Sequence, residues 1–215
     1  MKNAVICFTR VPKPGKTKTR LMPLLSGQQC AGLHWAFLRD LTEIYDKVDA
    51  DLYIAYTADP DWEELKPIFP NARFFTQEGS GLGEKMNHAL NKILTLGYEK
   101  VVLTGSDLPL MTAAHLCSGF DALEKAEVTL GPTGDGGYYL VGVKENSSFL
   151  FENQTYGYGS VFQNTAAAAV AVGKTVAHAL ACDDVDTPDD LQKLMQHLSP
   201  DSHTARYLRM LGEFR

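Results

Sequence analysis

Short apolar runs alternate with longer amphipathic segments along almost the whole chain, and this narrows the possible folds more than any other feature. Residues 4–8 read as a buried strand and 26–47 as a long helix. Residues 52–56 and 73–76 read as strands. Residues 82–96 read as a helix with Met86, Leu90, Ile93 and Leu94 on one face. Residues 101–104 form a strong apolar strand pattern, 112–125 a helix, and 128–130 and 138–143 two more strands. Residues 161–172 read as a helix and 175–180 as a last strand. Residues 187–198 and 204–211 close the chain as helices. Strands alternating with helices predict an α/β fold, a three-layer α/β/α sandwich with a mostly parallel sheet. The two strands close together in 128–143 predict that the sheet is mixed. There is no internal repeat, low-complexity tract or linker, so residues 1–215 are expected to form a single domain.

Several classes fall away. Five apolar residues before Thr9 and Arg10 are too few for a signal-peptide core. No stretch of about 18 uncharged apolar residues exists, so no membrane span is expected. Cys7, Cys30, Cys117 and Cys182 lie far apart without metal-site spacing, which fits reduced thiols of a cytoplasmic protein. The net charge of −6 disfavours a general nucleic-acid binder. That sum hides an asymmetry. Residues 1–39 carry seven basic side chains and no acid, whereas residues 40–215 carry 13 basic and 26 acidic ones. A cation cluster in an acidic protein points to a small anionic ligand.

In α/β folds ligands bind beyond the carboxyl ends of the strands. After the first strand come Arg10, Lys13, Lys16, Lys18 and Arg20, in a loop punctuated by Pro12, Pro14 and Gly15. Lys16, Lys18 and Arg20 can converge on phosphate oxygens. The loop is not a P-loop, because Arg10 stands where that motif needs its first glycine. After the strand at 101–104 comes Gly105-Ser106-Asp107, a carboxylate at a strand mouth, where a divalent cation or a substrate would be held. After the last strand come Asp183, Asp184, Asp186, Asp189 and Asp190. Thr187, Pro188, Asp189 and Asp190 suit a helix start. Asp183, Asp184 and Asp186 are left as candidate metal ligands. Two glycine-rich loops complete the set. Gly79-Ser80-Gly81-Leu82-Gly83 precedes a helix, and Gly134-Asp135-Gly136-Gly137 lies between two strands. The six histidines have no Cys or Ser partner at a telling spacing, and no Gly-x-Ser-x-Gly elbow exists, which argues against a serine hydrolase.

Five motifs occur in order: Lys-Thr-Lys-Thr-Arg-Leu, Gly-Leu-Gly-Glu-Lys-Met, Gly-Ser-Asp-Leu-Pro, Gly-Pro-x-x-Asp-Gly-Gly-Tyr-Tyr-Leu-x-Gly and Asp-Val-Asp-Thr-Pro-x-Asp-Leu. Over about residues 3–191 the chain resembles a bacterial family of predicted glycosyltransferases in the nucleotide-diphospho-sugar transferase superfamily. It more distantly resembles the guanylyltransferases that activate phospholactate or molybdopterin. The resemblance implies the GT-A fold. It implies that Arg10, Lys16, Lys18, Arg20 and Ser106 meet the nucleotide, with Gly81, Gly83 and Asn87 near the base and ribose. It gives Asp107, Asp184 and Asp186 to Mg²⁺ or Mn²⁺, and Asp135, Gly136, Gly137 and Tyr138 to the sugar or acceptor. Lys16, Lys18, Arg20 and Asp107 would be catalytic. Three positions depart from the pattern: Lys85 replaces an arginine, and Tyr156 and Tyr158 occupy a loop where a tryptophan is expected.

The expected activity is metal-dependent transfer from a nucleotide-activated donor. Glycosyl transfer from a nucleotide-diphospho-sugar to a small acceptor is the first reading. Nucleotidyl transfer from a nucleoside triphosphate to a phosphorylated acceptor, releasing pyrophosphate, is the second. A non-catalytic nucleotide-sugar-binding protein is the third, and an Asp107→Asn variant with unchanged metal-dependent binding would mark it.

Overall fold

Seven strands form one sheet in the order β3-β2-β1-β4-β6-β5-β7 in this computed structural model, which describes residues 2–157 and 159–212. The strands are β1 (Asn3–Thr9), β2 (Asp51–Tyr56), β3 (Arg73–Thr76), β4 (Lys100–Thr104), β5 (Val128–Pro132), β6 (Tyr138–Val143) and β7 (Val176–His178). Strand β1 pairs in parallel with β2 and β4, and β2 with β3. Strand β6 runs antiparallel to both β4 and β5, while β5 and β7 are parallel. The sheet is therefore mixed, with β6 the reversed strand. The short turn through Gly134–Gly137 returns the chain beside β5 and leaves no room for a crossover helix.

The helices are α1 (Gly27–Tyr45), α2 (Leu82–Leu94), α3 (Ala113–Lys125), α4 (Val161–Ala171), α5 (Pro188–Leu194) and α6 (His203–Met210). Strand alternation sorts the core into two layers. Val5 and Cys7 of β1 face Leu38, Leu41 and Tyr45 of α1 and Leu116 and Phe120 of α3. Ala4, Ile6 and Phe8 face Met86, Leu90 and Ile93 of α2 and Ala169 of α4. This is the expected α/β/α sandwich, and the solved relatives described below share the fold. The caps lie where local chemistry calls for them. Ser26 and Gln29 form a capping box at α1, and Thr187 caps α5 ahead of Pro188. The last expected strand, 175–180, is shorter than its pattern, and the helix expected over 187–198 ends at Leu194.

A third apolar cluster determines where the site forms. Leu21 and Leu25 from the segment after the basic loop pack with Leu33 and Phe37 of α1. Val185, Leu191 and Leu194 from the acidic segment and α5, and Leu208 of α6, complete it. Burying Leu21 and Val185 together brings the basic and acidic segments side by side. Asp40 of α1 secures the arrangement by accepting from the backbone N–H of His203 at 2.6 Å and of Thr204 at 3.0 Å, at the start of α6. All four cysteines are free, with Cys7, Cys30 and Cys182 buried. No helix among the described residues is long and apolar enough to cross a membrane.

Candidate active site

A cavity of about 510 Å³ opens at the carboxyl ends of the strands. Its walls include Arg10, Lys16, Lys18 and Arg20 from the loop after β1, Ser106 and Asp107 after β4, and Asp184 and Asp186 after β7. Asp135, Gly137 and Tyr138 line the β6 side. Three segments read separately in the sequence thus meet in one place, and the size suits a small-molecule ligand.

The basic loop divides its cations. Lys13 turns away and pairs with Asp59 at 2.5 Å and Asp61 at 2.7 Å. Arg10 donates to the Lys16 carbonyl at 3.2 Å and holds the loop's curvature. Arg20 is 71% exposed, with Nη1 3.7 Å from Asp186 Oδ2. Lys18 is the inward cation. Its backbone has φ 50°, a left-handed conformation uncommon for a side chain of this kind. Its side chain is 1% exposed, and Nζ donates to the Val185 carbonyl at 2.6 Å. The same nitrogen lies 2.8 Å from Asp107 Oδ1 and 3.3 Å from Asp186 Oδ1. One ammonium thus joins both acidic strand ends.

The acids differ in their work. Burial is the largest influence and pushes the Asp107 carboxyl up, but Lys18, His34 and Arg10 together outweigh it and hold the group below its ordinary value. Asp184 is pushed up to about 6, first by burial and then by the charges of Asp186 and Asp135. Asp183 faces elsewhere, accepting from the Gly134 N–H at 2.7 Å. Asp135 accepts from the Gly137 N–H at 3.0 Å and the Thr133 hydroxyl at 2.5 Å, which shapes the turn before β6. Gly136 has φ +85°, and a Cβ there would lie 2.1 Å from the Gly159 carbonyl oxygen. Gly136 therefore supports the turn without lining the cavity.

Of the three acids expected to hold a metal, Asp107 and Asp186 both face the Lys18 ammonium, and Asp184 lines the same cavity. Lys18 holds the place between Asp107 and Asp186. No group of three or more His, Cys, Asp or Glu side chains among the described residues could share an ion. The residues expected near the base and ribose flank the cavity rather than line it. Gly81, Gly83 and Asn87 do not line the cavity, whereas Leu82 and Met86 of the same segment do. A Cβ on Gly83 would lie 2.8 Å from the Tyr156 hydroxyl, so this glycine permits packing. Asn87 accepts from Asn91 along α2. Tyr158 lies outside the described residues.

Two sets of lining residues escape the sequence reading. His34 of α1 is buried, with Nδ1 2.6 Å from Thr17 Oγ1 and Nε2 3.1 Å from Ser106 Oγ. Burial lowers its pKa to about 4. It bridges the basic loop to the acidic loop as a neutral ring. Its signal was a polar residue inside the apolar stripe of α1, which is ambiguous in one sequence. Thr57 and Gln77 follow β2 and β3. The Gln77 amide N–H₂ donates to the Thr9 carbonyl at 3.1 Å and the Ala55 carbonyl at 2.9 Å. Both lie just past strand ends, the same signal that marks the loops after β1 and β4.

The chain is similar to several known proteins. The chain is 27% identical over 202 residues to a 2-phospho-L-lactate guanylyltransferase of Methanothermobacter thermautotrophicus, covering 90% of this chain and 85% of that one. It is 25% identical over 195 residues to a 2-phospho-L-lactate guanylyltransferase of Methanocaldococcus infernus, covering 91% and 86%. A solved protein of Desulfovibrio desulfuricans G20, provisionally assigned as a nucleotide-diphospho-sugar transferase, superposes with a TM-score of 0.92. It is 32% identical, with 99% of this chain and 96% of that one covered. A 4-diphosphocytidyl-2C-methyl-D-erythritol synthase of Anaerococcus prevotii shares the fold at a TM-score of 0.60 and 11% identity, covering 96% of each chain. The profile of the family described as uncharacterized protein conserved in bacteria (DUF2064) matches residues 40–158, and the chain belongs to that family.

Proposed function

We propose that this protein is a nucleotidyltransferase. A phosphate oxygen of a small acceptor attacks the α-phosphorus of a nucleoside triphosphate, the bond from that phosphorus to the bridging oxygen breaks, and pyrophosphate leaves with the electron pair. The observation that carries the reading is the convergence of four loop cations on one cavity with two acidic strand ends. A triphosphate presents the dense negative charge such a loop is suited to meet. The near full-length kinship to guanylyltransferases supports this reading over glycosyl transfer, and makes guanine the first base to test. Glycosyl transfer keeps one specific support, the likeness to the Desulfovibrio desulfuricans protein.

Under this reading the cavity has three parts. Leu82 and Met86 offer an apolar face to the base beside Thr57 and Gln77. Lys16, Arg20 and Arg10 meet the phosphates and stabilise charge that builds on the departing pyrophosphate. Lys18, held by Asp107 and Asp186, supplies a fixed positive charge at the centre. Asp135, Gly137 and Tyr138 face the acceptor from the β6 side.

Thermal unfolding with GTP, CTP, ATP, UTP and the matching nucleotide-sugars tests the donor class. A triphosphate at about 100 times its Kd adds roughly 2.7 kcal/mol to the folded state, a clear melting shift. Stabilisation by nucleotide-sugars and by no triphosphate would reverse the order of the two readings.

A further inference from the structure

Lys18 is placed as a cation-site occupant rather than as a mobile phosphate ligand. An ammonium has three N–H donors. Here it donates to the Val185 carbonyl at 2.6 Å and to Asp186 Oδ1 at 3.3 Å, and forms an ion pair with Asp107 Oδ1 at 2.8 Å. Its stem is buried, and Nζ lies 5.4 Å from the centroid of the Phe37 ring. The left-handed backbone at φ 50° starts the side chain inward from the loop. Val185 donates its N–H to the Asp107 carbonyl at 3.0 Å, so the two acidic segments are themselves tied together around the ammonium.

A divalent ion competes for the same oxygens. Magnesium coordinates carboxylate oxygen at about 2.0–2.1 Å and holds a strict octahedral shell. An ion on Asp107 Oδ1 would crowd an ammonium already 2.8 Å from that atom, with like charges opposed. Asp184 is the remaining acid nearby, and no third protein ligand completes a set among the described residues.

We propose that Lys18 is the resident cation of this site: it bridges Asp107 and Asp186, excludes divalent ions from the free protein, and leaves Mg²⁺ or Mn²⁺ to enter only on the phosphates of the nucleotide. The first two clauses concern the free protein and are independent of the transfer reaction. The last rests on the nucleotide reading above.

Titration of the full-length protein with Mn²⁺, followed by the electron paramagnetic resonance signal of the free ion, tests this without turnover. The wild type without nucleotide is expected to bind no Mn²⁺ that Asp107→Asn removes, up to millimolar ion. Lys18→Met is expected to open one site per chain, binding at least about tenfold tighter than the wild type, and Lys18→Met with Asp186→Asn to close it again. Stoichiometric Mn²⁺ on the nucleotide-free wild type, lost in Asp107→Asn, would overturn the proposal. So would a folded Lys18→Met protein that binds no more Mn²⁺ than the wild type. If Lys18→Met does not fold, the wild-type titration decides alone. Adding GTP to the wild type is expected to recruit Mn²⁺ with the nucleotide. Mn²⁺ uptake that GTP leaves unchanged, although GTP binds, would overturn the last clause. Absence of GTP binding with or without the ion would count against the nucleotide reading and leave the first two clauses standing.

Discussion

His34 reaches two hydroxyls from one ring, Thr17 Oγ1 and Ser106 Oγ, and so joins the loop that carries Lys18 to the loop that carries Asp107. His34→Ala leaves both hydroxyls buried without this partner and opens a void. Urea unfolding should show a loss of about 2–4 kcal/mol. The ring also has a pH signature. Its folded pKa lies near 4 against the ordinary 6.5, because burial favours the neutral form. The unfolded chain therefore takes up the proton first as pH falls. Stability from this group is complete above pH 6.5 and declines toward pH 4. His34→Asn should lose less stability across that window than the wild type in parallel melts. A second contrast concerns the basic loop. Lys16 lines the cavity, whereas Lys13 is engaged by Asp59 and Asp61. Lys16→Ala should weaken triphosphate binding about tenfold or more, since a hydrogen bond to a charged group contributes about 1.5–3 kcal/mol. Lys13→Ala should stay within about twofold, because Lys13 does not line the cavity. Calorimetric titration separates the two. The sequence shows that the loop is basic. It cannot show which lysine turns inward, because that depends on a left-handed backbone at Lys18 and on acids 89 and 168 residues away in Asp107 and Asp186.

Helix α6 depends on a cap from a distant helix, Asp40 of α1, which accepts from two backbone N–H groups and from the Thr204 hydroxyl. Asp40→Ala removes a helix cap and leaves Thr204 buried without its acceptor. The expected cost is about 2–4 kcal/mol, or roughly 5–10 °C in Tm for a chain of this size. Differential scanning calorimetry measures it. The local elements were legible because their signals are local. Ser26 and Thr187 mark helix starts, strand periodicity sorts β1 into two faces, and the close spacing of β5 and β6 announces a reversed strand. The tie between α1 and α6 was not legible, because neither segment carries a pattern naming the other. The same holds for the packing of Leu21 on Val185, which brings the basic and acidic segments together. The glycines before α2 differ from one another in a way the sequence does not show. Such a loop signals close approach: a Cβ at Gly83 would meet the Tyr156 hydroxyl, whereas one at Gly81 would meet open space.

Across the whole molecule, the first 39 residues carry seven cations and no acid in a chain whose net charge is −6. The fold brings most of that excess to one mouth, beside the carboxylates of Asp107, Asp184 and Asp186. Arg20 meets solvent there, so part of the attraction for an anionic ligand is screened by salt. Triphosphate affinity is therefore expected to fall several-fold as ionic strength rises from about 0.01 M to about 1 M, where the screening length shrinks from about 30 Å to about 3 Å. A flat response would mean that the basic loop does not hold the phosphates. Nucleotidyl transfer is tested most directly by its product. The protein would be incubated with Mg²⁺, GTP labelled at the α-phosphorus, and 2-phospho-L-lactate alongside other small phosphorylated acceptors, with GDP-sugars and UDP-sugars in parallel. Label is expected to pass to a phosphorylated acceptor with an equal amount of pyrophosphate, and both are expected to be lost in Lys18→Met and Asp107→Asn. Sugar transferred from a nucleotide-sugar with release of the nucleoside diphosphate, and no pyrophosphate from any triphosphate, would contradict nucleotidyl transfer.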